Sequence, residues 1–567
     1  MSALSAEVPA QDDGYVSYDD STRDRYRAEG WWSGHTLPAV LEHAAATHAG
    51  QTALVTPEVS WTYRELLDRA GAFARGMAAD AGARPGDAAM FQMGNVAETV
   101  VAYLGCVLAG VRPVCTLPQH GSREIGLLAQ HTGARFLLVQ DDFGNGRLRQ
   151  QAQDLSARGL VQSVIVARGA AFEGARAYDD VLAAGASDPS APPAYLSMDP
   201  ASVAVFQLSG GTTGLPKVAP RLHEEYTYNS RAWAEAMEYG TGSRLLYPLP
   251  IMHNAGISLA LQPAMLSGAC LILAPSADIT TLTAMIEQHR PDVLPLVPPA
   301  LAIRLLDAPE ARTADLSSVR SFVVGGQKLP VEVAERLRDE LGIQVRQMFG
   351  MAEGMFLLTP AGSSEDVRHH TVGTPISAGD EVRILEPGSE AAVADGEIGE
   401  LAARGPYTIR GYYRAEAHNQ TAFTSDGFYR TGDLARRHVT AEGTFYSIEG
   451  RIKDVINRGV EKIHAEEVEE LIVQHPGVRT AALVAMPDRV LGEKGCAFVV
   501  LEPDAEPLTV ASLADHLLAL GLARYKLPER VEIVDALPLT NVGKVSKKQL
   551  RDDIEHRLAA EDRQEER

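Results

Sequence analysis

The chain has 567 residues, 45% hydrophobic and 22% charged, a balance that supports sizeable cores and more than one domain. A formal net charge of −22 excludes the basic footprint of a general nucleic-acid binder and disfavours docking on an anionic membrane. Cys106, Cys115, Cys270 and Cys496 are scattered, with no Cys-x-x-Cys and no histidine at metal-ligand spacing, so buried reduced thiols are expected and a zinc site is not. Met1 is followed by a polar, acidic segment, not by a basic and then apolar leader. The most apolar stretch, 99–117, is interrupted by Gly105, Gly110, Arg112 and Pro113, which suits a buried helix and strand better than a membrane span. A cytoplasmic protein is expected.

In chain order, the first 30 residues are polar and predict an irregular arm, which ends by residue 34. A helix is expected over 37–48. Thr62-Tyr-Arg-Glu65 is a capping box, and Leu66, Leu67, Ala70, Phe73, Ala74 and Met77 then recur at helical spacing. Strands are expected at 87–93, 114–116, 135–139 and 163–167, with a helix over 97–109. This alternation continues to about residue 350, the texture of a layered α/β fold with largely parallel sheets. From 382 to 449 short strands lie between Gly-rich turns and predict a β-rich lobe. Beyond a boundary near Lys453 comes a compact unit. Its expected elements are a helix at 465–474, strands at 480–485 and 496–501, a helix at 513–520, a strand at 531–534 and a last helix from Ser546 to about 558. The four glutamates within 466–470 predict a solvated helix face, and 561–567 a frayed tail.

The stretch that carries most chemistry is Leu208-Ser-Gly-Gly-Thr-Thr-Gly-Leu-Pro-Lys217, which follows a strand at 203–206. Glycines let several backbone N–H groups approach one anion, while Ser209, Thr212 and Thr213 add hydroxyl donors and Lys217 a positive charge. The stretch predicts a phosphate-holding loop. It is not a Walker A loop, because Leu215 and Pro216 separate Gly214 from Lys217, and it lacks the Gly-x-Gly-x-x-Gly spacing of a dinucleotide fold. An ordinary Gly-rich loop is the alternative.

Three later segments bear on the choice: Gln347-Met-Phe-Gly-Met-Ala-Glu-Gly354; Tyr429-Arg-Thr-Gly-Asp433 with Gly450-Arg-Ile-Lys-Asp454; and Asn541-Val-Gly-Lys-Val545. With the loop, in this order over about residues 35–555, they resemble the adenylate-forming superfamily of acyl-CoA synthetases, luciferases and peptide-synthetase adenylation domains. Within it the chain looks most like stand-alone aryl-acid–AMP ligases, the 2,3-dihydroxybenzoate and salicylate activators. Phe349-Gly-Met-Ala-Glu-Gly354, Arg404-Gly-Pro-Tyr-Thr-Ile-Arg-Gly-Tyr-Tyr413, Asn457-Arg-Gly459 and Val542-Gly-Lys-Val-Ser-Lys-Lys548 carry this narrower likeness.

The resemblance implies a large N-terminal domain (35–452) of layered α/β subdomains with a β-rich lobe, and a small mobile α+β domain (453–567) hinged at Lys453. It implies ATP-dependent activation of an aromatic carboxylic acid to an aryl-AMP, followed by transfer to the phosphopantetheine thiol of a separate carrier protein. Ser209, Gly210, Gly211, Thr212, Thr213, Gly214 and Lys217 would hold the nucleotide phosphates. Gly325, Gly326, Gln327 and Phe349 would flank the adenine, Gly350, Met351 and Ala352 would also contact the nucleotide, Asp433 and Arg451 the ribose, and Glu353 would bind Mg²⁺. Lys544 would be catalytic, reaching both the carboxylate and the α-phosphate. His253 either contacts the acid's carboxylate or is a satisfied core histidine.

For the acid itself the resemblance implies Asn254, Ala255, Leu259, Gln327, Met348, Gly350 and Phe356. Asn254 stands where amino-acid-activating relatives use Asp, and a neutral amide cannot balance an ammonium. The pocket departs from dihydroxybenzoate ligases at Ala255, Leu259 and Gln327, where Tyr, Ser and Ala are usual. An ortho-hydroxy or ortho-amino aryl acid is therefore expected, bulkier or more varied than the usual one. An aryl- or acyl-CoA ligase is the alternative enzyme, and a non-catalytic nucleotide-binding relative the alternative class. The oligomeric state is left open between monomer and homodimer.

Overall fold

The computed structural model describes residues 14–187, 198–209, 216–458, 461–488, 491–520, 522, 524–540 and 544–565. Within them the chain forms four sheets. The first runs in the order Ala175–Ala177, Ser163–Ala167, Phe136–Gln140, Ala88–Gln92, Arg112–Val114, Val203–Ser209, Lys217–Leu222. Its strands are parallel except the last pair, a hairpin whose ends meet at Ser209 and Lys217. The central strands are apolar but for Gln92, Gln140 and Ser163 at their ends, and every residue of them is buried, as parallel strands between helical layers must be.

The second sheet has nine strands. Its parallel centre comprises Val345–Gly350, Ser321–Gly325, Val293–Val297, Arg244–Tyr247, Cys270–Leu273 and Thr52–Val55. Antiparallel strands flank it at each edge. One continuous apolar core joins the two sheets. The third sheet is the β-rich lobe: Glu381–Leu385, Ile398–Arg404, Tyr429–Thr440 and Gly443–Arg451, all antiparallel. The fourth, with helices Ala465–Ile472, Val510–Ala519 and Lys547–Glu565, encloses two small cores of its own.

Local signals in the sequence account for many boundaries. Thr62 and Glu65 close the capping box that starts the helix Tyr63–Ala79. Ser546 Oγ accepts from Gln549 N at 3.5 Å at the start of the last helix.

Several expectations need correction. The arm is not irregular throughout: Asp20–Ala28 is a helix capped by Asp19. It is held because Tyr18, Tyr26 and Trp32 bury their rings together and Arg27 forms a two-point ion pair with buried Glu224. The glutamate-rich helix is not simply solvated, since Glu467, Glu469 and Glu470 pair with Lys526, Lys547 and Lys328. The tail stays helical to Glu565, and Arg530 pairs with Glu561. A six-residue π-helix at Gly256–Leu261 had no signature in the sequence.

Candidate active site

The hairpin Val203–Ser209/Lys217–Leu222 brings Ser209 and Lys217 to the same end of the first sheet. Gly210, Gly211, Thr212, Thr213 and Gly214 lie outside the described residues. Lys217 is half-buried, with Nζ 5.0 Å from the ring centre of Tyr412. Burial pulls its ammonium below the usual lysine range, and Glu353 pulls the other way.

Glu353 sits on the turn after the strand Val345–Gly350 and is buried. The Tyr412 hydroxyl donates to its carboxylate and lies 2.8 Å from the Tyr429 hydroxyl. Ile409 N donates to the Glu353 carbonyl at 2.8 Å. The turn also needs Gly354, which has φ +88°: a Cβ there would fall 1.7 Å from the Tyr407 carbonyl oxygen. A buried arginine holds the same turn. Arg221 is two-point paired with Glu225 and donates to the Ala352 carbonyl at 2.9 Å and the Tyr407 carbonyl at 3.0 Å.

Asp433 and Arg451 face each other across antiparallel strands, with Nε 2.8 Å from Oδ1. Burial raises the Asp433 carboxyl, and the charges of Arg451 and Lys544 oppose that rise. Lys544 arrives from the fourth-sheet unit. A Cβ on Gly326, which has φ +89°, would stand 3.2 Å from Lys544 Cε, so glycine leaves room for the side chain. The segment is closed by Thr540, whose N–H donates to the Lys544 carbonyl at 2.6 Å and whose Oγ1 accepts from Lys544 N at 3.1 Å. Burial, then Arg451, lowers the Lys544 ammonium, and Asp433 partly restores it. Two ion pairs, Lys328–Glu470 at 2.5 Å and Arg479–Asp307 at 3.2 Å, seat this unit on the rest of the chain.

His253 is half-buried and its pKa is pulled down to about 4, first by burial and then by Lys544 and His120. It is neutral at pH 7. Its Nδ1 accepts from Ala255 N at 3.3 Å, which leaves Nε2–H as the donor. Asn95 secures the turn leading to it: Nδ2 donates to the Leu249 and Ala274 carbonyls, and Oδ1 accepts from Ile251 N at 2.8 Å. Asn254 and Ala255 are buried, and Leu259 is buried on the π-helix.

Met348 and Phe356 are buried on neighbouring strands. They occupy space that side chains at Gly325 and Gly350 would fill, with Cβ positions 2.6 Å from Met348 Sδ and Phe356 Cδ1 respectively. Phe349, Met351 and Ala352 are half-buried, while Gln327 and Gly350 are exposed.

Three groups therefore meet: Lys217 with Glu353; Asp433 with Arg451, Lys544, Gly326 and His253; and the apolar residues around Met348 and Phe356. Glu353 acts electrostatically on both Lys217 and Asp433, so the first two groups share one site. Lys453 lies on the short turn Ile452–Asp454, exposed to solvent, and its ammonium is within electrostatic reach of Arg451 and Asp433. The sequence reading missed Asn95, Arg221 and Tyr412, and also Tyr226, whose hydroxyl donates to Asn254 Oδ1 at 3.3 Å. Arg221 and Glu225 are four apart, but a strand end precedes the helix there, so helical spacing did not reveal the pair. Tyr412 lay inside a quoted motif without an assigned task.

Among the described residues no helix is long and apolar enough to cross a membrane. The "AMP-binding enzyme" family matches residues 41–413, and the "AMP-binding enzyme C-terminal domain" matches 467–544. The chain is 40% identical over 550 residues to a salicylyl-CoA synthase / salicylate adenylyltransferase of a Streptomyces species, covering 95% of this chain and 97% of that protein. It is 39% identical over 541 residues to the vibriobactin-specific 2,3-dihydroxybenzoate-AMP ligase of Vibrio cholerae, with coverage of 95% and 97%. The apo structure of Mycobacterium smegmatis MbtA superposes with a TM-score of 0.71 at 36% identity, covering 95% of this chain and 98% of that one. With both matched segments in order and relatives aligned along nearly the whole length, the chain belongs to the AMP-binding enzyme family.

Proposed function

We propose that the protein activates an ortho-substituted aromatic carboxylic acid. The acid's carboxylate attacks the α-phosphorus of ATP, an aryl-AMP mixed anhydride forms and pyrophosphate leaves. A phosphopantetheine thiol then attacks the aryl carbonyl, giving a thioester and AMP. The observation that carries this reading is the position of Lys544 against Gly326, beside the Asp433–Arg451 pair and His253. Two anions must meet for the anhydride to form, so a positioned ammonium offsets their repulsion and the charge that builds as the bond forms.

The other residues suit this task. Asp433 accepts from ribose hydroxyls, and Lys217 neutralises charge on the departing pyrophosphate. Phe349 and the backbone of Gly325, Gly326 and Gln327 flank the adenine. Neutral His253 offers Nε2–H to the acid's carboxylate without adding charge. Met348, Phe356, Ala255 and Leu259 wall the aromatic ring.

Glu353 fits Mg²⁺: it is a buried, acceptor-only carboxylate next to Lys217, and this ion takes one or two carboxylates plus phosphate oxygens. When bound, the ion would neutralise charge on the phosphates. Residues 35–452 and 453–567 form the two domains of this reading. Rotation about Lys453 would withdraw Lys544 after the first half-reaction and admit the thiol. Relatives named as a salicylate adenylyltransferase and a 2,3-dihydroxybenzoate-AMP ligase favour an aryl acid, and siderophore or related natural-product assembly is the setting of this reading. One relative is named as a CoA synthase, so CoA is the second acceptor to test. Four buried free cysteines fit a reducing, cytoplasmic setting.

The test is ATP–pyrophosphate exchange across a panel of aromatic acids, with detection of acyl-AMP by mass spectrometry. Thioester formation is then followed with a holo carrier protein or with CoA. No acyl-AMP from any aromatic acid would overturn the proposal.

A further inference from the structure

Asp380 carries a carboxyl that the reaction does not use. It ends a turn at 377–380, where its N–H donates to the Ser377 carbonyl at 3.1 Å. Tyr228 steadies that turn, with its hydroxyl 2.6 Å from Ser377 Oγ. Among the described residues no cation pairs with Asp380, and its Oδ1 is buried without a hydrogen-bond partner. A Cβ on Gly405 would stand 2.3 Å from that oxygen, so the glycine lets the carboxyl pack there. Its Oδ2 accepts from the Tyr407 hydroxyl at 2.6 Å. Burial pushes the carboxyl up to about 8, so at pH 7 it takes this bond largely uncharged.

Tyr407 is fully buried and uses its hydroxyl in both senses. The oxygen accepts from Phe356 N at 3.3 Å while the proton goes to Asp380. The two rings lie 5.9 Å apart. Phe356 is the first residue of its strand, and the chain before it is the turn that carries Glu353. The N-terminal arm clamps the residues on either side of Tyr407. Trp32 Nε1 donates to the Pro406 carbonyl at 2.8 Å, and the Tyr18 hydroxyl donates to the Thr408 carbonyl. Trp31 closes over the same place: a Cβ on Gly379 would stand 2.6 Å from Pro406 Cγ and 2.8 Å from the Trp31 ring.

We propose that Tyr407, held by Asp380 and by the arm, positions Phe356 and thereby sets how tightly the site binds its acid. The inference rests on the adenylation reading, in which Phe356 walls the acid's ring. Tyr407 and Asp380 act through Phe356 and touch no reactant, so they are positioning residues. A wall free to retreat by about 0.5–1 Å forfeits roughly a quarter to a half of its dispersion contact with a flat ring. The groups assigned to ATP do not depend on this hydroxyl, since Asp433 is paired with Arg451 and Glu353 is held by Tyr412.

The experiment measures KM for the acid and KM for ATP by pyrophosphate exchange on the full chain. The acid is salicylate, or the panel acid that exchanges fastest if salicylate does not. Tyr407→Phe keeps the ring and loses the hydroxyl. It should raise the KM for the acid about five- to tenfold, as expected for one buried hydrogen bond, with the KM for ATP within about twofold. Asp380→Leu should do the same, and the double variant should be no worse than either single one, because the two groups form one relay. Asp380→Asn keeps a neutral acceptor and should recover most of what Asp380→Leu loses. A defect that merely lowers the folded fraction reduces the apparent kcat and leaves both KM values in place. An acid KM unmoved in Tyr407→Phe overturns the inference while adenylation stands. So does an equal rise in the KM for ATP, which would make Tyr407 a support for the whole turn. Tyr407→Phe decides alone if Asp380→Leu does not fold. No exchange with any acid overturns both readings.

Discussion

Replacing Lys544 by alanine removes the ammonium that the fourth-sheet unit brings to Gly326, and the structure says what that charge is worth. Its nearest charged neighbours, Asp433 and Arg451, already neutralise each other at 2.8 Å. Little of the Lys544 charge is therefore offset locally. Burial and Arg451 lower its pKa, so the ammonium gains when an anion enters. Removing one positioned group aimed at developing charge costs about 3–4 kcal/mol, or about 10²–10³ in rate. Lys544→Ala should lose pyrophosphate exchange by that factor at saturating acid. Calorimetric ATP affinity should change much less, because the Asp433–Arg451 pair and the Lys217–Glu353 group remain. Thioester formation from supplied aryl-AMP should fall far less than exchange does. Exchange at the unaltered rate would refute the reasoning. So would a loss of ATP affinity as large as the loss of exchange, which would make Lys544 a nucleotide-binding group instead.

Three other outcomes are expected. Arg221→Met leaves Glu225 buried without its partner and should destabilise the large unit by about 3–5 kcal/mol, measured by urea unfolding; adding Glu225→Gln should recover much of the loss. Burial holds His253 at about 4 and His223 at about 3 against an unfolded value of 6.5. The unfolded chain thus binds more protons just below pH 6.5, so this stability is present above 6.5 and drains away as pH falls toward 4. His253→Gln should flatten that part of the pH–stability profile. Glu470→Lys should set like charges against Lys328, loosen the seating of Lys544 and slow exchange more than thioester formation, whereas Lys328→Glu with Glu470→Lys should restore exchange. An unchanged rate in the single variant would show that this contact does not seat the unit.

The legible parts of the fold were those written in short-range pattern. The capping box at Thr62 and Glu65, the largely apolar strands Phe136–Gln140 and Ser163–Ala167, and the short strands of the lobe all depend on residues a few positions apart. The helix Asp20–Ala28 was not legible, because its own sequence is polar and its stability comes from Trp32 and Glu224. The glutamates of Ala465–Ile472 looked solvated for a similar reason: their lysine partners are remote in sequence, Lys328 above all. At the site, Asp433 and Arg451 were expected together at the ribose from their motifs, and the antiparallel register is what sets them face to face as an ion pair.

The alternation of helices and strands, the glycine-rich loop after the strand at 203–206 and the residue types fit for phosphate, ribose and carboxylate were determined by the sequence alone. Backbone sterics and hydrogen bonding between near neighbours act wherever the chain goes. Tertiary structure decided which of those groups face one another. Asn95 clamps a turn more than 150 residues away, Tyr412 holds Glu353, and Tyr226 donates to Asn254 Oδ1. Such contacts follow from the packing of sheets whose strands lie far apart in the chain. The charge, tautomer and hydrogen-bonding direction of each group are set by its buried neighbours, and no local pattern encodes them.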